Sequence, residues 1–98
     1  MIRVVYTWRV EPQNFEKFKE MWRATTNGIH ESVEGALGSF MLQSFEDKTE
    51  VITVAKWKSV QQWQEFWGSK NPKQMQSMRD LGERLSVEVF EEIEDHTR

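Results

Sequence analysis

The chain has 98 residues, enough for one domain that buries roughly two-thirds of its unfolded surface. Charged residues make up 30% of it and its formal net charge is −3, which indicates a mildly acidic globular protein and argues against nucleic acid as a partner. Because cysteine is absent, disulfides, thiolate catalysis and cysteine-based metal sites are excluded. No signal peptide follows Met1 and no apolar run approaches the ~20 residues that span a bilayer, so we expect a cytoplasmic protein that does not enter a membrane.

The first third of the chain predicts a strand followed by an amphipathic helix. In residues 2–10 large apolar side chains recur at every second position, which is typical of a strand. Glu11-Pro12 breaks this pattern and places a proline in the first turn of the next element. Apolar residues then recur at helical spacing, so the pattern predicts a first helix from about Pro12 to His30. The apolar stripe consists of Phe15, Phe18, Met21 or Trp22, Thr25 and Ile29.

Two further strands joined by a polar hairpin are predicted for the middle of the chain. A turn contains Gly35 and Gly38, and Ser39–Phe45 follows it as the predicted second strand. The third strand, residues 51–58, is apolar on both faces at its start. One face carries Val51, Thr53, Ala55 and Trp57, and the other begins with Ile52 and Val54.

Two helices and a last strand complete the predicted order. Ser59 and Gln62 fit a capping box at the start of a second helix, which ends at Gly68. Asn71-Pro72 supplies an N-cap and a first-turn proline for a third, shorter helix that reaches about residue 82. The last strand begins at Leu85, and the charged tail, residues 91–98, is predicted not to pack.

This β-α-β-β-α-β order predicts a single ferredoxin-like α+β domain over residues 1–98, with an extra short helix before the last strand. Such a sheet carries its helices on one face and leaves the other bare. Here both faces contain large apolar side chains, as at Val4 beside Val5 and Val89 beside Phe90. A solvated face should be polar, so we expect a homodimer in which a second copy covers the open face.

Several local motifs resemble one known family. They are Glu11-Pro12 after the first strand, the turn that contains Gly35, the segment Ser44–Asp47, and Trp57-Lys58-Ser59 at the start of the second helix. Over nearly its whole length the chain resembles the antibiotic biosynthesis monooxygenase family of dimeric α+β barrels. The resemblance implies a homodimer whose sheets close into a barrel, with an apolar pocket in each subunit between sheet and helices. Members include cofactor-independent oxygenases of polycyclic phenols, haem-degrading enzymes and proteins of unknown activity.

The haem-degrading members of that family have a residue pattern that this chain does not match. They use an asparagine on the first strand, a tryptophan on the second helix and a histidine further along as the axial ligand. Here the tryptophan position falls on Phe66 and the histidine position on Gln76, while Thr7 and Trp8 stand where the asparagine is expected. Haem degradation is therefore disfavoured, because haem iron needs a proximal ligand.

The resemblance favours an oxygenase that needs no cofactor and acts on a small electron-rich aromatic compound of the phenol or hydroquinone type. A phenolate can itself reduce dioxygen if a dry pocket binds it and stabilises the anion. The candidate catalytic residues, as donors or as a base, are Trp67, Arg79 and His30. The candidate pocket residues are Tyr6, Trp8, Asn27, Trp57, Trp63, Phe66, Met75 and Met78.

Each candidate also has a purely structural interpretation. Tryptophans and methionines facing a sheet most often fill core volume, and His30 at the end of a helix complements the helix dipole. Two further function classes therefore stay open, a non-catalytic binder of a small hydrophobic molecule and a structural or stress-related homodimer. We expect no metal site, since the two histidines lie far apart in sequence.

Overall fold

The computed structural model describes residues 1–68 and 72–97 of the chain. These ranges form one antiparallel sheet with the strand order β2-β3-β1-β4, together with three α-helices. The order confirms the predicted ferredoxin-like α+β fold. The strands are β1 (Ile2–Arg9), β2 (Ala36–Gln43), β3 (Glu50–Trp57) and β4 (Glu83–Glu91), and the helices are α1 (Phe15–Ser32), α2 (Val60–Trp67) and α3 (Gln76–Arg79). Short 3₁₀ helices, Pro12–Asn14 and Lys73–Met75, lead into α1 and α3.

Strand β2 begins earlier and ends earlier than the sequence predicts. Gly38 has φ +106°, a conformation that favours glycine, and it lies where the β2–β3 register shifts between Ala36 and Ser39. The glycine therefore forms an irregularity within the strand instead of a turn before it. At the other end, the Ser44 hydroxyl accepts hydrogen bonds from the backbone N–H groups of the next turn, which ends the strand before Phe45.

The second and third helices agree with their predicted positions in part. The Ser59 hydroxyl oxygen accepts from the Gln62 backbone N–H at 3.2 Å, as an N-cap should. The return half of the capping box is absent, because the Gln62 side-chain oxygen instead lies 3.2 Å from the same hydroxyl. The third helix is shorter than predicted, since its first turn is 3₁₀ and α3 ends at Arg79. The predicted N-cap Asn71 lies outside the described residues.

The end of the chain packs further than its charge predicts. Strand β4 continues through Glu91, and the Glu92 backbone N–H donates to the Met1 carbonyl oxygen at 3.1 Å. The Arg3 guanidinium also donates to the Glu92 carboxylate at 2.7 Å. The first residues of the predicted tail are thus held against the start of β1.

The two faces of the sheet differ as the alternation predicts. The helix-facing side of β1 presents Val4, Tyr6 and Trp8, all of which are buried, and Trp8 meets Phe18 of α1 at 5.1 Å between ring centroids. The opposite face is apolar and open. Phe40 and Leu42 on this face are 46% and 51% exposed, whereas side chains in a hydrophobic core are buried. This bare sheet face, formed by Val5, Phe40, Leu42, Ile52, Val54 and Phe90, is an apolar patch on the described chain.

Candidate active site

A cavity of about 50 Å³ lies between α1 and the sheet and is partly open to solvent. Helix α1 forms one wall with Trp22 and His30, and the central strands form the floor with Tyr6 and Thr53. Phe66 near the end of α2, Met75 just before α3 and Met78 within α3 close the remaining sides. The cavity therefore occupies the layer between sheet and helices, on the side away from the bare sheet face.

The structure brings five of the eight predicted pocket residues to this cavity. Those that line it are Tyr6, Trp57, Phe66, Met75 and Met78. Trp8 and Trp63 are buried behind the lining, which they contact through hydrogen bonds. Asn27 is exposed on α1, and the cavity wall uses Thr26 and His30 instead. That these side chains contact a substrate stays a prediction.

His30 is the predicted catalytic residue that lines the cavity. Its Nδ1 lies 2.8 Å from the Ala36 carbonyl oxygen at the start of β2. A carbonyl oxygen can only accept, so Nδ1 must carry the hydrogen and donate it. In the neutral ring the lone pair is then on Nε2. The bond to Ala36 thus fixes the tautomer and leaves Nε2 as a proton acceptor.

The other two predicted catalytic residues lie outside the cavity lining. Trp67 stacks on Trp63 at 5.4 Å between centroids, and the Arg84 guanidinium lies 4.9 Å from the Trp67 ring centroid. Arg79 donates to the Pro72 carbonyl oxygen at 3.1 Å and to the Gln76 side-chain oxygen at 2.7 Å. These contacts give Arg79 a structural role in holding α3 to the segment before it.

Three hydroxyl-bearing residues that line the cavity are each hydrogen-bonded to a tryptophan. In every pair an indole N–H donates to the hydroxyl oxygen, at 3.2 or 3.3 Å. These indole N–H groups, which the sequence suggested as donors to a ligand, are therefore already engaged by the hydroxyl oxygens. The pairs are Trp8 with Thr53, Trp22 with Ser39, and Trp63 with Tyr6.

Sequence reasoning missed Ser39 and Thr53 as cavity residues. Thr53 gave a usable signal, because it interrupts the apolar face of β3 with a hydroxyl at a core-facing position, and a buried hydroxyl needs a partner. Ser39 gave none, since its place beside Trp22 depends on where α1 crosses β2.

Burial raises the pKa of Tyr6 to about 12, and this effect outweighs the opposing influences of the Trp63 hydrogen bond and the Arg84 charge. Tyr6 therefore stays protonated at neutral pH and acts as a donor there. The pKa of Arg84 is lowered, chiefly by burial and then by the Arg79 charge. Within the described part of the chain no group of three or more His, Cys, Asp or Glu side chains is arranged to hold a metal ion.

Phe66 separates the cavity from a surface groove of about 550 Å³ that runs along the outside of α2. Its ring packs against Trp57 at 5.2 Å between centroids. A dry cavity that admits benzene has a volume of about 150 Å³, so 50 Å³ holds no aromatic ring until a lining side chain moves. Among the described residues Phe66 lines both the cavity and the groove, so it is the side chain whose size we expect to limit access.

A model of the family described as antibiotic biosynthesis monooxygenase matches residues 1–78. The chain belongs to the antibiotic biosynthesis monooxygenase family. No curated protein sequence was found to match it. None of the helices in residues 1–68 and 72–97 is both long enough and apolar enough to cross a membrane.

Solved structures with the same fold share little sequence with this family member. SnoaB, a cofactor-independent oxygenase from Streptomyces nogalater, superposes with a TM-score of 0.71 at 14% identity, covering 99% of this chain and 97% of its own. A protein from Caulobacter crescentus, provisionally assigned to the antibiotic biosynthesis monooxygenases, gives 0.77 at 17% identity over 95% and 90%. A conserved protein of unknown function from Bacteroides thetaiotaomicron gives 0.71 at 21% identity over 91% and 94%. At such identities the likeness establishes the fold alone.

Proposed function

We propose that this protein is a cofactor-independent monooxygenase that oxidises a small electron-rich aromatic compound of the phenol or hydroquinone type. The observation that carries the proposal is one apolar cavity lined by both His30, whose Nδ1 contact with Ala36 leaves Nε2 as an acceptor, and Tyr6. A base and an oxyanion donor are the two parts that such chemistry needs from the protein. Membership of the family supports the assignment to oxygen chemistry.

The chemistry can be written without an external reductant. His30 Nε2 takes the hydroxyl proton of the substrate, and the resulting anion transfers one electron to dioxygen. The radical pair recombines through a C–O bond at a ring carbon that still carries hydrogen, and the hydroperoxide then loses water. One oxygen atom becomes a quinone carbonyl and the other leaves in the water with the two substrate hydrogens. Tyr6 donates to the substrate oxygen on which negative charge develops.

Oxygen uptake with an anthrone-type substrate in metal-free buffer tests this proposal. Loss of a positioned general base lowers rates by roughly 10²–10⁴-fold, so we expect kcat/KM to fall within that range for His30→Gln. His96→Gln is the matched control, because this second histidine lies exposed in the tail, 2.7 Å from Glu94. An equal loss in both variants, or none in either, would remove His30 from the mechanism.

A non-catalytic binder is the alternative that the same experiment separates. It would show quenching of tryptophan emission by the aromatic compound without oxygen uptake. If a panel of phenols and hydroquinones gives neither uptake nor a change in emission, both ligand hypotheses fail. A role for the aromatic residues in packing alone would then remain.

We also infer that the protein is a homodimer in which the bare sheet face of each copy is covered by the other. The half-exposed Phe40, Leu42 and Phe90 on this face support the inference. Leu42→Glu should dissociate the dimer, whereas Phe45→Ser should not, because Phe45 is exposed at the hairpin tip beyond the face. Sedimentation checks both variants. A wild-type mass near 11.7 kDa would contradict the dimer.

A further inference from the structure

The three hydroxyls of the cavity share one property that follows from their tryptophan partners. A hydroxyl has one hydrogen and two lone pairs, whereas an indole N–H can only donate. Each hydroxyl oxygen is therefore already an acceptor, and its own hydrogen is not used in that bond. Among the described residues none of these three hydrogens has a protein acceptor. All three residues, Tyr6, Ser39 and Thr53, line the cavity, so a ligand there is the acceptor within reach.

From this arrangement we infer that the cavity is an acceptor-oxygen site that prefers a phenolate or enolate to the neutral phenol, and that three tryptophans position its donors. Trp8, Trp22 and Trp63 act as positioning residues through Thr53, Ser39 and Tyr6 respectively. A donated hydrogen bond fixes the hydroxyl rotor and polarises its O–H group, which strengthens the next bond in the chain. Hydrogen bonds to an ionised oxygen are about twice as strong as neutral ones, so the anion gains most.

This inference deepens the proposed function by naming the charge state of the ligand, and it rests on that function for the identity of the site. The burial of the pairs supports it. Thr53 is 2% exposed and Tyr6 is 4% exposed, so water competes little for their hydrogens. Tyr6 also keeps its hydrogen far above neutral pH.

The test is the pKa of a bound chromogenic phenol, 4-nitrophenol, read from its phenolate absorbance under anaerobic conditions. We expect binding to lower this pKa by about one unit, which is a roughly tenfold preference for the anion. Ser39→Ala should reduce the preference about threefold, since one donor to a charged oxygen is lost. Trp22→Phe keeps an aromatic ring at a half-buried position but removes the indole N–H, and it should have a similar effect.

A double variant distinguishes positioning from general structural damage. If Trp22 acts through Ser39, Trp22→Phe has no further effect on the bound pKa in the Ser39→Ala background. Full additivity of the two effects would overturn the positioning role. An unchanged or raised pKa in the wild-type complex would overturn the acceptor-oxygen site. The Phe66→Ala variant has a larger cavity. If neither the wild type nor this variant binds 4-nitrophenol, the acceptor-oxygen site is overturned as well.

The binding measurement needs no dioxygen, so its outcome is separate from that of the oxygen-uptake assay. A lowered bound pKa without oxygen uptake would contradict the monooxygenase and leave the acceptor-oxygen site standing. Turnover of an anthrone-type substrate with an unshifted 4-nitrophenol pKa would contradict only the acceptor-oxygen site.

Discussion

Raising the pH should lower the free energy of unfolding through the ionisation of Tyr6. This residue is the single tyrosine of the chain, so its titration can be assigned without ambiguity. Burial raises the pKa of this phenol from 10.0 to about 12, so between these values the folded state keeps a proton that the unfolded state has lost. Stability from this group is complete below pH 10 and is lost as the pH rises towards 12. Two pKa units correspond to about 2.7 kcal/mol. That is a large part of a typical 5–15 kcal/mol free energy of unfolding.

The titration can be followed in two ways. The near-ultraviolet absorbance of tyrosinate reports the protonation of Tyr6 directly, and urea unfolding at several pH values reports the free energy. Other groups also titrate in alkali, so the comparison with Tyr6→Phe isolates the contribution of this residue. At pH 8 the variant should be less stable by about 1–3 kcal/mol, since the buried Trp63 N–H loses its acceptor.

That stability difference should shift in favour of the variant by up to about 2.7 kcal/mol as the pH rises through 12, because only the wild type carries the phenol. Appearance of tyrosinate near pH 10 in a protein that is still folded would refute the reasoning. So would a parallel loss of stability in wild type and variant. Either result would mean that water reaches the cavity wall, and the Tyr6 hydroxyl would then be a weaker donor to a ligand.

Other substitutions test the cavity and the turn beside it. Phe66→Ala removes about 100 Å³ of side chain, and at 24 cal/mol per Å³ the cavity adds at most about 2.4 kcal/mol to the transfer free energy that the lost apolar atoms cost. The variant should admit larger aromatic compounds, so calorimetry should show a lower Tm that such ligands raise again. A ligand that raises the Tm of the wild type equally would contradict the expectation that Phe66 limits access to the cavity. Gly35→Ala should destabilise in urea unfolding by at least about 1–2 kcal/mol, because φ is +91° and the added Cβ would lie 2.9 Å from Gln62 Cβ. At Gly28 in α1 an added Cβ would meet nothing within 4 Å, so Gly28→Ala should raise the free energy of unfolding by about 0.5–1 kcal/mol. A change of the same sign in both glycine variants would contradict this account.

Periodicity predicted which face each strand residue occupies, and this gave part of the site correctly. Tyr6 and Trp57 follow the alternation of their strands, which fixes their direction whatever the neighbouring elements do. The same rule predicted the apolar bare sheet face. Capping residues such as Ser59 were also readable, since a cap depends on residues within one helical turn.

Contacts between elements could not be read in the same way. Successive residues on a helix differ by about 100° in direction, so Asn27 points to solvent while Thr26 lines the cavity. The pairing of Trp22 with Ser39 depends on how α1 crosses β2, which no local pattern encodes. Gly38 was misread as a turn residue because a positive φ serves an irregular strand equally well.

The position of the proposed base depends on the turn between α1 and β2. Gly35 accepts a hydrogen bond from the Lys58 backbone N–H at 2.9 Å, and the next residue, Ala36, holds His30 Nδ1 through its carbonyl oxygen. A change at Gly35 therefore moves the acceptor that orients the imidazole. Because Tyr6 and Thr53 on the cavity floor belong to β1 and β3, Gly35→Ala should lower kcat more than it raises KM for an anthrone-type substrate. A variant that changes only KM would show that the turn shapes the cavity without orienting His30.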